Sequence, residues 1–478
     1  MSSVRISQAS GEEKSARWRA AIAAMGGPLY LRIVELLAQE VREGRLAAGA
    51  PLPSQRDLAK QLGVNFTTVT RAYDEAKRIG LVQSHHGQGT FVSGGKELAR
   101  SGIEPESEER AREPIDLTST WPPNLEIAST LAAAVQQLTD ERSFDFLARR
   151  AGAVPALDLT AGRGWLQPRF DAPLDGRLTM ASGTRNALIA LLSSLVGTGE
   201  QLLVESMCWP TVRTLATVLG IQLVPVALDA EGILPEALDA AAQASQAKVL
   251  YCVPTLQNPS GAVMSLNRRR ALIEVAQRRG LTIIEDDAYG GLHSAPPPLL
   301  GALAPDITYS IFGLAKLISP SLRVSYVVAP DATKAARLMD ILRATMQTVP
   351  ALEAALATHL IRHGQMTALI EQVRAEAKAR QALVKQLLGG HAAAIADEAL
   401  FFWLPMPAPW DASDFAMRLR REGVAVAPAK VFSLEPASAP NAVRIATGAV
   451  SSRDELSLAL RRLRGLLSQN PSLLSAID

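Results

Sequence analysis

The sequence contains few of the features that mark a disulfide-bonded, secreted or membrane-bound protein. Its 478 residues include two cysteines, Cys208 and Cys252, which are too few for a disulfide framework and whose spacing fits no zinc motif. No apolar run approaches the roughly 18–20 residues of a membrane span, and the polar residues 1–15 contain no signal-peptide core. We therefore expect a cytoplasmic protein with reduced, buried cysteines, no metal site and no membrane partner.

The chain also has almost no net charge. It carries 49 Lys and Arg against 47 Asp and Glu, which gives +2, and this total identifies no partner. Residues 1–92 hold 12 basic and 8 acidic residues, or +4, so the remaining residues hold 37 and 39, or −2. This asymmetry is a weak indication that the two ends of the chain differ in function. The length and the 48% apolar content predict a globular protein of several domains.

Residues 28–80 have the pattern of three short helices. Pro28 suits the start of the first helix. Ser54 is a candidate N-cap of the second helix, which Gly63 would end, and Asn65 is a candidate N-cap of the third. The apolar residues that recur at helical spacing are Tyr30, Ile33, Leu37 and Val41 in the first helix and Val69, Ala72, Tyr73, Ala76 and Ile79 in the third.

The tight, glycine-containing turn between the last two helices predicts a helix-turn-helix, and residues 81–92 predict two short strands around a glycine-rich tip, a wing. In such a motif the N-terminal residues of the second helix reach base edges in the major groove, and the wing contacts phosphates or the minor groove. A small helical interaction domain is the alternative interpretation. The candidate DNA-contacting residues are Arg56, Asn65, Phe66, Thr67, Thr68, Thr70 and Arg71, with His86, Gly87, Gln88, Gly89 and Thr90 at the wing tip.

A polar segment separates this module from the rest of the chain. Residues 93–114 contain glycine and proline and lack an apolar period, so they predict a flexible linker. Residues 115–478 alternate between strand-like runs and helical stretches, which predicts an α/β domain with a largely parallel sheet. From about residue 350 we expect a smaller α+β lobe. The strand-like runs are 201–206, 221–226, 248–253, 281–286, 307–312 and 323–329, with a further strand before residue 182.

Some residues of the second domain are candidates for holding a small molecule, and each has an ordinary alternative. Lys316 follows a strand in an apolar setting, where desolvation lowers the pKa of a lysine and makes it a Schiff-base candidate. An isolated lysine is more often a surface residue. Asp286 and Tyr289 follow another strand, at the edge of an α/β sheet where ligands bind. An acidic residue in that position can also cap a loop.

Other segments of the same domain are ambiguous in the same way. Residues 183–185 begin a helix whose backbone amides would face an anion, although such turns are common. Asn258 lies in a turn after a strand, where Asn-Pro is also a generic turn signal. Trp209 could stack on an aromatic ring or fill the core. Arg444 could receive a carboxylate through two hydrogen bonds or form an ordinary ion pair.

Residues 28–92 resemble, nearly from end to end, the winged helix-turn-helix of the GntR regulators. The matching segments are PLYLRIVELL, GRLAAGAPLPSQRDLAKQLGV, TTVTRAYDEAKRIGLV and GQGTFV. The resemblance implies a DNA-binding domain over residues 1–92, and Arg56 and the wing glycine match the family pattern. Many relatives have a guanine-reading arginine at the position of Phe66. Phenylalanine cannot make that bidentate contact, so their preferred DNA sequence does not carry over.

Residues 115–478 resemble the fold-type I pyridoxal-phosphate aminotransferases, because the candidate residues occur in that family's order. The resemblance implies that Lys316 holds the cofactor as an aldimine and that Asp286 pairs with its pyridine nitrogen. It implies ring-hydroxyl contacts from Asn258 and Tyr289, stacking by Trp209, phosphate contacts from Gly183, Thr184, Arg185 and Arg323, and a contact from Arg444 to the substrate carboxylate. A GntR winged helix joined to such a domain is the architecture of the MocR regulators. This implies a homodimer, a double-stranded DNA operator and an amino-compound effector.

Two positions near Lys316 depart from the family pattern. Relatives usually carry phosphate-binding hydroxyl residues three before and one before the lysine, where this chain has Gly313 and Ala315. Hydrogen bonds to charged groups contribute roughly 1.5–3 kcal/mol each, so we expect weaker cofactor binding unless other groups compensate. Arg185 stands where relatives carry glutamine, and we expect it to compensate in part through a charge-assisted contact.

Three functions are compatible with these residues. The first is a transcription regulator whose DNA affinity changes when an amino compound replaces Lys316 in the aldimine. The second is an aminotransferase with turnover and an appended DNA-binding module. The third is a sensor that has lost the cofactor and kept the fold. The missing hydroxyls and the complete winged helix favour the regulator over the enzyme, and the retained Lys316, Asp286 and Arg323 argue against complete loss of the cofactor.

Overall fold

The computed structural model describes residues 17–22, 28–42, 45–47, 49–78, 81–85, 89–92, 114–123, 125, 127–140, 154–347, 349–391 and 396–469. The chain divides into two compact units, Met1–Glu113 and Pro114–Asp478. The expected linker, apart from Pro114, lies outside the described residues. In the described part of the chain, no helix is long and apolar enough to cross a membrane.

The first unit has the helices and the strand pair that its sequence predicts. Residues 17–22 are helical, and the labelled elements are α1 Leu29–Arg42, α2 Gln55–Leu62, α3 Phe66–Arg78, β1 Val82–His85 and β2 Gly89–Val92. The two strands pair antiparallel. The predicted apolar faces meet in one core, which includes Ile33, Leu37, Val69, Ala72, Tyr73 and Ala76. Ile79 lies outside the described residues.

The ends of α2 are fixed by the residues that the sequence singles out. The side chain of Ser54 accepts a hydrogen bond from Asp57 N at 3.2 Å, as an N-cap does. Gly63 follows the helix with φ 69°, a left-handed conformation that glycine adopts at low cost. The chain therefore turns sharply between α2 and α3, which confirms the predicted helix-turn-helix.

The second unit is built from alternating strands and helices. Its strands are β3 Ile115–Asp116, β4 Leu178–Ala181, β5 Gln201–Glu205, β6 Gln222–Val226, β7 Leu228–Asp229, β8 Gly232–Ile233, β9 Val249–Cys252, β10 Thr282–Asp286, β11 Thr308–Gly313, β12 Ser325–Val328, β13 Phe401–Pro405, β14 Val424–Ala425, β15 Ala427–Pro428 and β16 Ala442–Ala446. Its helices are α4 Ile127–Asp140, α5 Ala156–Leu166, α6 Thr184–Leu195, α7 Pro210–Leu219, α8 Pro235–Ala244, α9 Leu266–Arg279, α10 Leu300–Leu303, α11 Ala332–Met346, α12 Ala351–Arg362, α13 Gln365–Leu388, α14 Ala412–Arg421 and α15 Arg453–Leu467.

A seven-stranded sheet forms the centre of this unit, in the order β4-β12-β11-β10-β9-β5-β6. Neighbouring strands are parallel except at β12, which runs antiparallel to both β4 and β11. The strands β9 and β11 are buried along their whole length, as expected where both faces of a parallel sheet are covered. The expectation of a largely parallel sheet is confirmed, and both cysteines are buried and free.

A smaller lobe contains the antiparallel sheet β13-β16-β15. Strand β3, the first element of the second unit, joins this lobe by pairing in parallel with β14. Leu117 continues the connection, because its N–H donates to Ala425 O and its carbonyl accepts from Ala446 N, at 2.9 and 2.7 Å. This pairing fixes the position of the residues that follow, 118–121.

The end of β10 is held by a buried carboxylate. Glu285 accepts hydrogen bonds from the backbone of Leu300 and Gly301 at 2.8 and 3.0 Å and from Ser310 Oγ at 2.8 Å. The buried guanidinium of Arg269 lies 3.6 Å from the same carboxylate. Because Glu285 precedes Asp286, these contacts also fix the strand end from which Asp286 projects.

We expect Glu285→Ala to destabilise the second unit by about 3–5 kcal/mol, since it leaves a buried cation and two buried amides without their partner. The measurement is the midpoint of urea unfolding followed by circular dichroism. Glu274→Ala, on the exposed side of α9, is the control and should leave the midpoint close to that of the wild type. Equal midpoints for the two variants would contradict this account.

Candidate functional site

A cavity of about 560 Å³ opens at the carboxyl ends of the parallel strands. Its walls come from the segments that follow β4, β5, β9, β10 and β11, from β16 of the smaller lobe, and from residues 118–121. Ligands of α/β proteins bind at this edge of the sheet. Every candidate cofactor or effector residue of the second unit lines the cavity: Gly183, Thr184, Arg185, Trp209, Asn258, Asp286, Tyr289, Lys316, Arg323 and Arg444.

Asp286 is a buried carboxylate with one satisfied oxygen. Tyr251 Oη donates to Asp286 Oδ2 at 2.8 Å, while Asp286 Oδ1 is buried and has no hydrogen-bond partner among the described residues. Burial raises the pKa of Asp286 to about 7, although the Tyr251 bond lowers it. An unpartnered buried carboxylate oxygen favours a donor supplied by a ligand.

Lys316 lies deep in the cavity with a lowered pKa. Burial, followed by the charges of Arg444 and Arg323, lowers its pKa to about 7. Its Nζ donates a hydrogen bond to Thr120 Oγ1 at 3.2 Å and lies 3.7 Å from the centre of the Trp121 ring. A lysine of this kind has a large neutral fraction at neutral pH and can act as a nucleophile.

Arg444 projects into the cavity from β16 and is already hydrogen-bonded. Its Nη1 donates to Asn258 Oδ1 at 2.7 Å, and its Nη2 donates to the carbonyl of Thr118. The guanidinium lies 4.6 Å from the centre of the Phe432 ring, and burial lowers the pKa of Arg444 to about 10. These two bonds use two of the five guanidinium N–H donors, so donors remain for a carboxylate.

The turn between β4 and α6 forms an anion-binding wall. Gly183 has φ 79° and ψ 163°, a conformation that is essentially restricted to glycine, and α6 begins at Thr184. The N-terminus of a helix attracts anions through its free amides and its dipole. A Cβ at Gly183 would lie 3.8 Å from Arg323 Cδ, so the turn and Arg323 form one wall.

Arg185 and Trp209 lie beside each other at this wall. The guanidinium of Arg185 is 5.8 Å from the centre of the Trp209 ring, and Arg185 is exposed. Among the described residues that line the cavity, Asp286 is the only acidic side chain, against the basic Arg185, Lys316, Arg323 and Arg444. The cavity therefore suits an anionic ligand.

In the first unit, the start of α3 presents part of the expected DNA-contacting set. Phe66 is 44% exposed, Thr67 is exposed and Thr68 is half-buried. Asn65 Oδ1 accepts hydrogen bonds from both N and Oγ1 of Thr67 at 3.0 Å, so Asn65 caps the helix. Its predicted contact with DNA stays a prediction.

Two further residues of α3 contact the helices around it. Thr70 Oγ1 donates to Gln55 Oε1 at 2.9 Å, so this hydroxyl joins α3 to α2. The guanidinium of Arg71 lies 4.1 Å from the centre of the Tyr30 ring on α1. Arg56 is exposed on α2.

The wing is described only in part. His86, Gly87 and Gln88 lie outside the described residues, whereas Gly89 and Thr90 belong to β2. Gly89 has φ 107°, so the first residue of β2 is in a conformation that favours glycine.

Comparison with known families agrees with both units. Residues 164–463 match the model of the aminotransferase class I and II family, over more than half of the chain. The chain belongs to this family. Residues 29–92 match the bacterial regulatory proteins of the gntR family. A gntR-type domain joined to a class I and II aminotransferase domain is the arrangement of the MocR-type regulators, as the sequence predicted.

Two curated relatives and one solved structure illustrate the similarity. The uncharacterized HTH-type transcriptional regulator YdeF of Bacillus subtilis is 28% identical over 452 residues, which cover 94% of this chain and 96% of YdeF. The HTH-type pyridoxine biosynthesis transcriptional regulator PdxR of Corynebacterium glutamicum is 29% identical over 75% of this chain and 78% of PdxR. The kynurenine aminotransferase of Pyrococcus horikoshii shares the fold, with TM-score 0.68 and 21% identity over 77% of this chain and 96% of that one.

In this member of the aminotransferase class I and II family, the cavity also contains residues that the sequence analysis did not predict as site residues. Thr120 is buried, and its Oγ1 is hydrogen-bonded both to Lys316 and, at 2.8 Å, to Tyr289 Oη. Trp121 lies against Lys316, and Tyr251 binds Asp286. The local pattern that could have indicated these residues is Trp121 itself, an aromatic residue in a mostly polar stretch just after the linker.

The lowered pKa of Lys316 predicts a distinct pH profile of its reactivity. As the pH rises through about 7, Lys316 loses its proton, so its acylation rate should rise and then level off about one pH unit higher. An ordinary lysine, with a pKa near 10.4, continues to gain about tenfold per pH unit in this range. The measurement is trace acetylation between pH 5.5 and 10, read by mass spectrometry against an added lysine peptide. A Lys316 profile parallel to that of the peptide would exclude the lowered pKa.

Proposed function

We propose that the protein is a pyridoxal-phosphate-dependent, DNA-binding transcription regulator, and that an amino compound in its cavity changes its affinity for DNA. The observation that carries the proposal is the presence, in one cavity, of the half-buried Lys316 amine and of Asp286 Oδ1, which has no partner among the described residues. The first unit of the same chain has a gntR-type helix-turn-helix. A relative named as an HTH-type transcriptional regulator matches over 94% of this chain.

The residues present fit the cofactor. Asp286 Oδ1 lacks a donor among the described residues, and a protonated pyridine nitrogen is a donor of the kind that it requires. When bound, pyridoxal phosphate supplies an aldehyde that condenses reversibly with primary amines. Lys316 is the primary amine that faces the cavity. The raised pKa of Asp286, about 7, falls back when a cation replaces the missing partner.

The other groups have complementary tasks. The amides of residues 183–185 and the guanidinium of Arg323 would bind the phosphate, with Arg185 as an additional cation. Asn258 and Tyr289 would hold the ring hydroxyl, and Trp209 would cover the ring face. These groups lie on segments next to different strands of the sheet and at the start of α6, so the edge of the sheet brings them to one cavity.

Arg444 would bind the carboxylate of an amino-compound effector. The effector amine would compete with Lys316 for the aldehyde of the cofactor. A ligand shifts a conformational equilibrium only by its differential affinity for the two states, so regulation requires that the effector favour one of two DNA affinities. A homodimer would place two recognition helices on two half-sites of double-stranded DNA.

An aminotransferase with turnover is the second candidate function. The observation that favours it is the lowered pKa of Lys316, because a general base works best when its pKa lies near the working pH. Conversion of an amino acid to a keto acid by the purified protein would distinguish this function from regulation by binding alone. The third possibility, a cofactor-free sensor, leaves the buried oxygen of Asp286 without a partner in the described part of the chain.

The proposed function predicts cofactor capture at one lysine. Wild-type protein mixed with pyridoxal phosphate should gain visible absorbance, and borohydride reduction should fix the label on Lys316, since this amine is largely neutral at pH 8. Lys316→Ala should lose both signals, whereas Lys334→Ala, which removes an exposed lysine, should keep them. DNA binding is measured separately, by fluorescence anisotropy of a labelled double-stranded DNA fragment from upstream of the gene. The wild type should bind this DNA, and its affinity should change when cofactor and a panel of amino acids are added.

Three results would overturn the proposal in different ways. If the wild type takes up no cofactor label, the cofactor-free sensor is the candidate function that remains. Labelling of Lys316→Ala to the same extent would remove Lys316 from its proposed role. A third result would favour the aminotransferase with turnover. In that case Lys316 is labelled and amino acids are converted steadily, but the protein binds none of the DNA fragments tested.

Arg185 supplies a separate prediction about cofactor affinity. Because Arg185 is exposed, its charge is screened, and Arg185→Ala should weaken pyridoxal-phosphate binding by roughly two- to fivefold at low salt. The loss should shrink as salt is added, because screening weakens contacts between exposed charges. Arg270→Ala, which removes an exposed arginine from α9, is the control. An unchanged affinity of Arg185→Ala at low salt would show that Arg185 does not compensate for Gly313 and Ala315.

A further inference from the structure

The first residues of the second unit run beside the amine of Lys316. The buried hydroxyl of Thr120 accepts a hydrogen bond from Lys316 Nζ at 3.2 Å and is hydrogen-bonded to Tyr289 Oη at 2.8 Å. In the part of the chain that the structure describes, Lys316 Nζ has no other hydrogen bond. The Trp121 ring lies against the same amine. Thr120 and Trp121 therefore contact the group that captures the cofactor in the proposed function.

Short pairings attach residues 115–121, the leading segment, to the smaller lobe. Strand β3 within this segment is two residues long, and Leu117 extends its pairing to β14 and β16 through the backbone. The carbonyl of Thr118 accepts a hydrogen bond from Arg444. An element held by short pairings opens locally at a low free-energy cost, so the bond from Lys316 to Thr120 contributes to holding the leading segment in place.

Condensation of Lys316 with an aldehyde removes this bond. The amine nitrogen forms a double bond to the aldehyde carbon, and the aldehyde oxygen leaves as water with both amine hydrogens. The hydrogen that Lys316 donates to Thr120 is therefore lost. An amino compound that takes over the same carbon transfers its two amine hydrogens to Lys316, so the bond to Thr120 can form again.

We propose that the Thr120 hydroxyl couples the chemical state of Lys316 to the first unit through the leading segment. The bond is present while the amine is free and absent while the amine holds an aldehyde. Pro114, just before the segment, follows Glu113 of the first unit in the chain, so the covalent path from the cavity to the first unit begins here. This inference rests on the proposed function and names the residues through which the cavity would alter DNA affinity.

The size of the coupling is limited by one hydrogen bond. A bond between neutral groups changes an equilibrium constant by about fivefold. A ligand can shift an equilibrium only by its differential affinity for the two states. Loss of the Lys316–Thr120 bond should therefore speed local opening of the leading segment by about fivefold and change DNA affinity by no more than that factor.

The first experiment breaks the bond without any cofactor. Thr120→Val keeps the shape of the side chain and removes the hydroxyl, whereas Lys316→Ala removes the donor. Amide hydrogen exchange of residues 115–121, read by mass spectrometry on the full-length protein, should be about fivefold faster in both variants than in the wild type. Exchange in β13 should stay unchanged, which separates local opening from general destabilisation.

Two control variants accompany this measurement. Thr120→Ser keeps the hydroxyl, so its leading segment should exchange within about twofold of the wild-type rate. Lys334→Ala removes an exposed lysine and should also leave the exchange of residues 115–121 unchanged. Rescue by serine but not by valine would assign the effect to the hydroxyl itself.

The second experiment measures affinity for the labelled DNA fragment from upstream of the gene. Without cofactor, Thr120→Val and Lys316→Ala should both show, within about twofold, the affinity that the wild type shows with pyridoxal phosphate. At cofactor concentrations that label Lys316 fully, pyridoxal phosphate should change the DNA affinity of Thr120→Val by less than about twofold. Thr120→Ser should respond to the cofactor as the wild type does.

Several results would overturn the coupling. Unchanged exchange in both Thr120→Val and Lys316→Ala, or equally faster exchange in β13, would mean that the bond does not hold the leading segment. Faster exchange with the DNA affinity of the cofactor-free wild type would mean that the segment does not act on the first unit. In these cases cofactor capture by Lys316 and a cofactor-dependent DNA affinity of the wild type would still support the proposed function. A wild type that captures no pyridoxal phosphate would overturn both.

Discussion

The loss of water around Lys316 is the constraint on which the rest of the cavity depends. Burial lowers the pKa of this amine to about 7 against the attraction of Asp286, and Arg444 and Arg323 lower it further. A charged lysine would place four cations against one carboxylate in the cavity described. A neutral amine relieves this repulsion and leaves three guanidinium groups to attract an anionic ligand. The same burial therefore favours a neutral amine and preserves a positive field that suits an anionic ligand.

The sequence could predict whatever depends on short-range rules. Ser54 and Gly63 mark the ends of a helix because capping is decided within a few residues. Asp286 and Lys316 could be assigned to one cavity because parallel strands deliver their carboxyl ends to the same edge. This assignment did not require knowledge of any contact between Asp286 and Lys316. The α/β alternation restricts the topology, and the order of the candidate residues, which resembles that of the fold-type I aminotransferases, supported the same assignment.

Contacts made by long-range pairing could not be predicted. Thr120 meets Tyr289 across 169 residues of sequence, and it does so because β3 pairs with β14 in the smaller lobe. A two-residue strand has no periodicity to detect. Gly313 shows a different limit. Its missing side chain suggested a missing contact, whereas the structure fills that volume with Thr184 from another strand-helix turn. Position-by-position comparison cannot show which residue of another segment occupies the space beside a glycine.

The internal bonds of Arg444 orient its guanidinium and still leave donors for a ligand. Its Nη1 and Nη2 donate to Asn258 and to the carbonyl of Thr118, and its Nε is buried without a partner among the described residues. A guanidinium has five N–H donors in a fixed fork, so two internal bonds leave three donors for a carboxylate. Asn258 lies in a turn after β9 and Thr118 follows β3, so the two bonds hold the guanidinium between the edge of the large sheet and the smaller lobe. A carboxylate therefore meets a cation that is already oriented, and less side-chain entropy is lost when it binds.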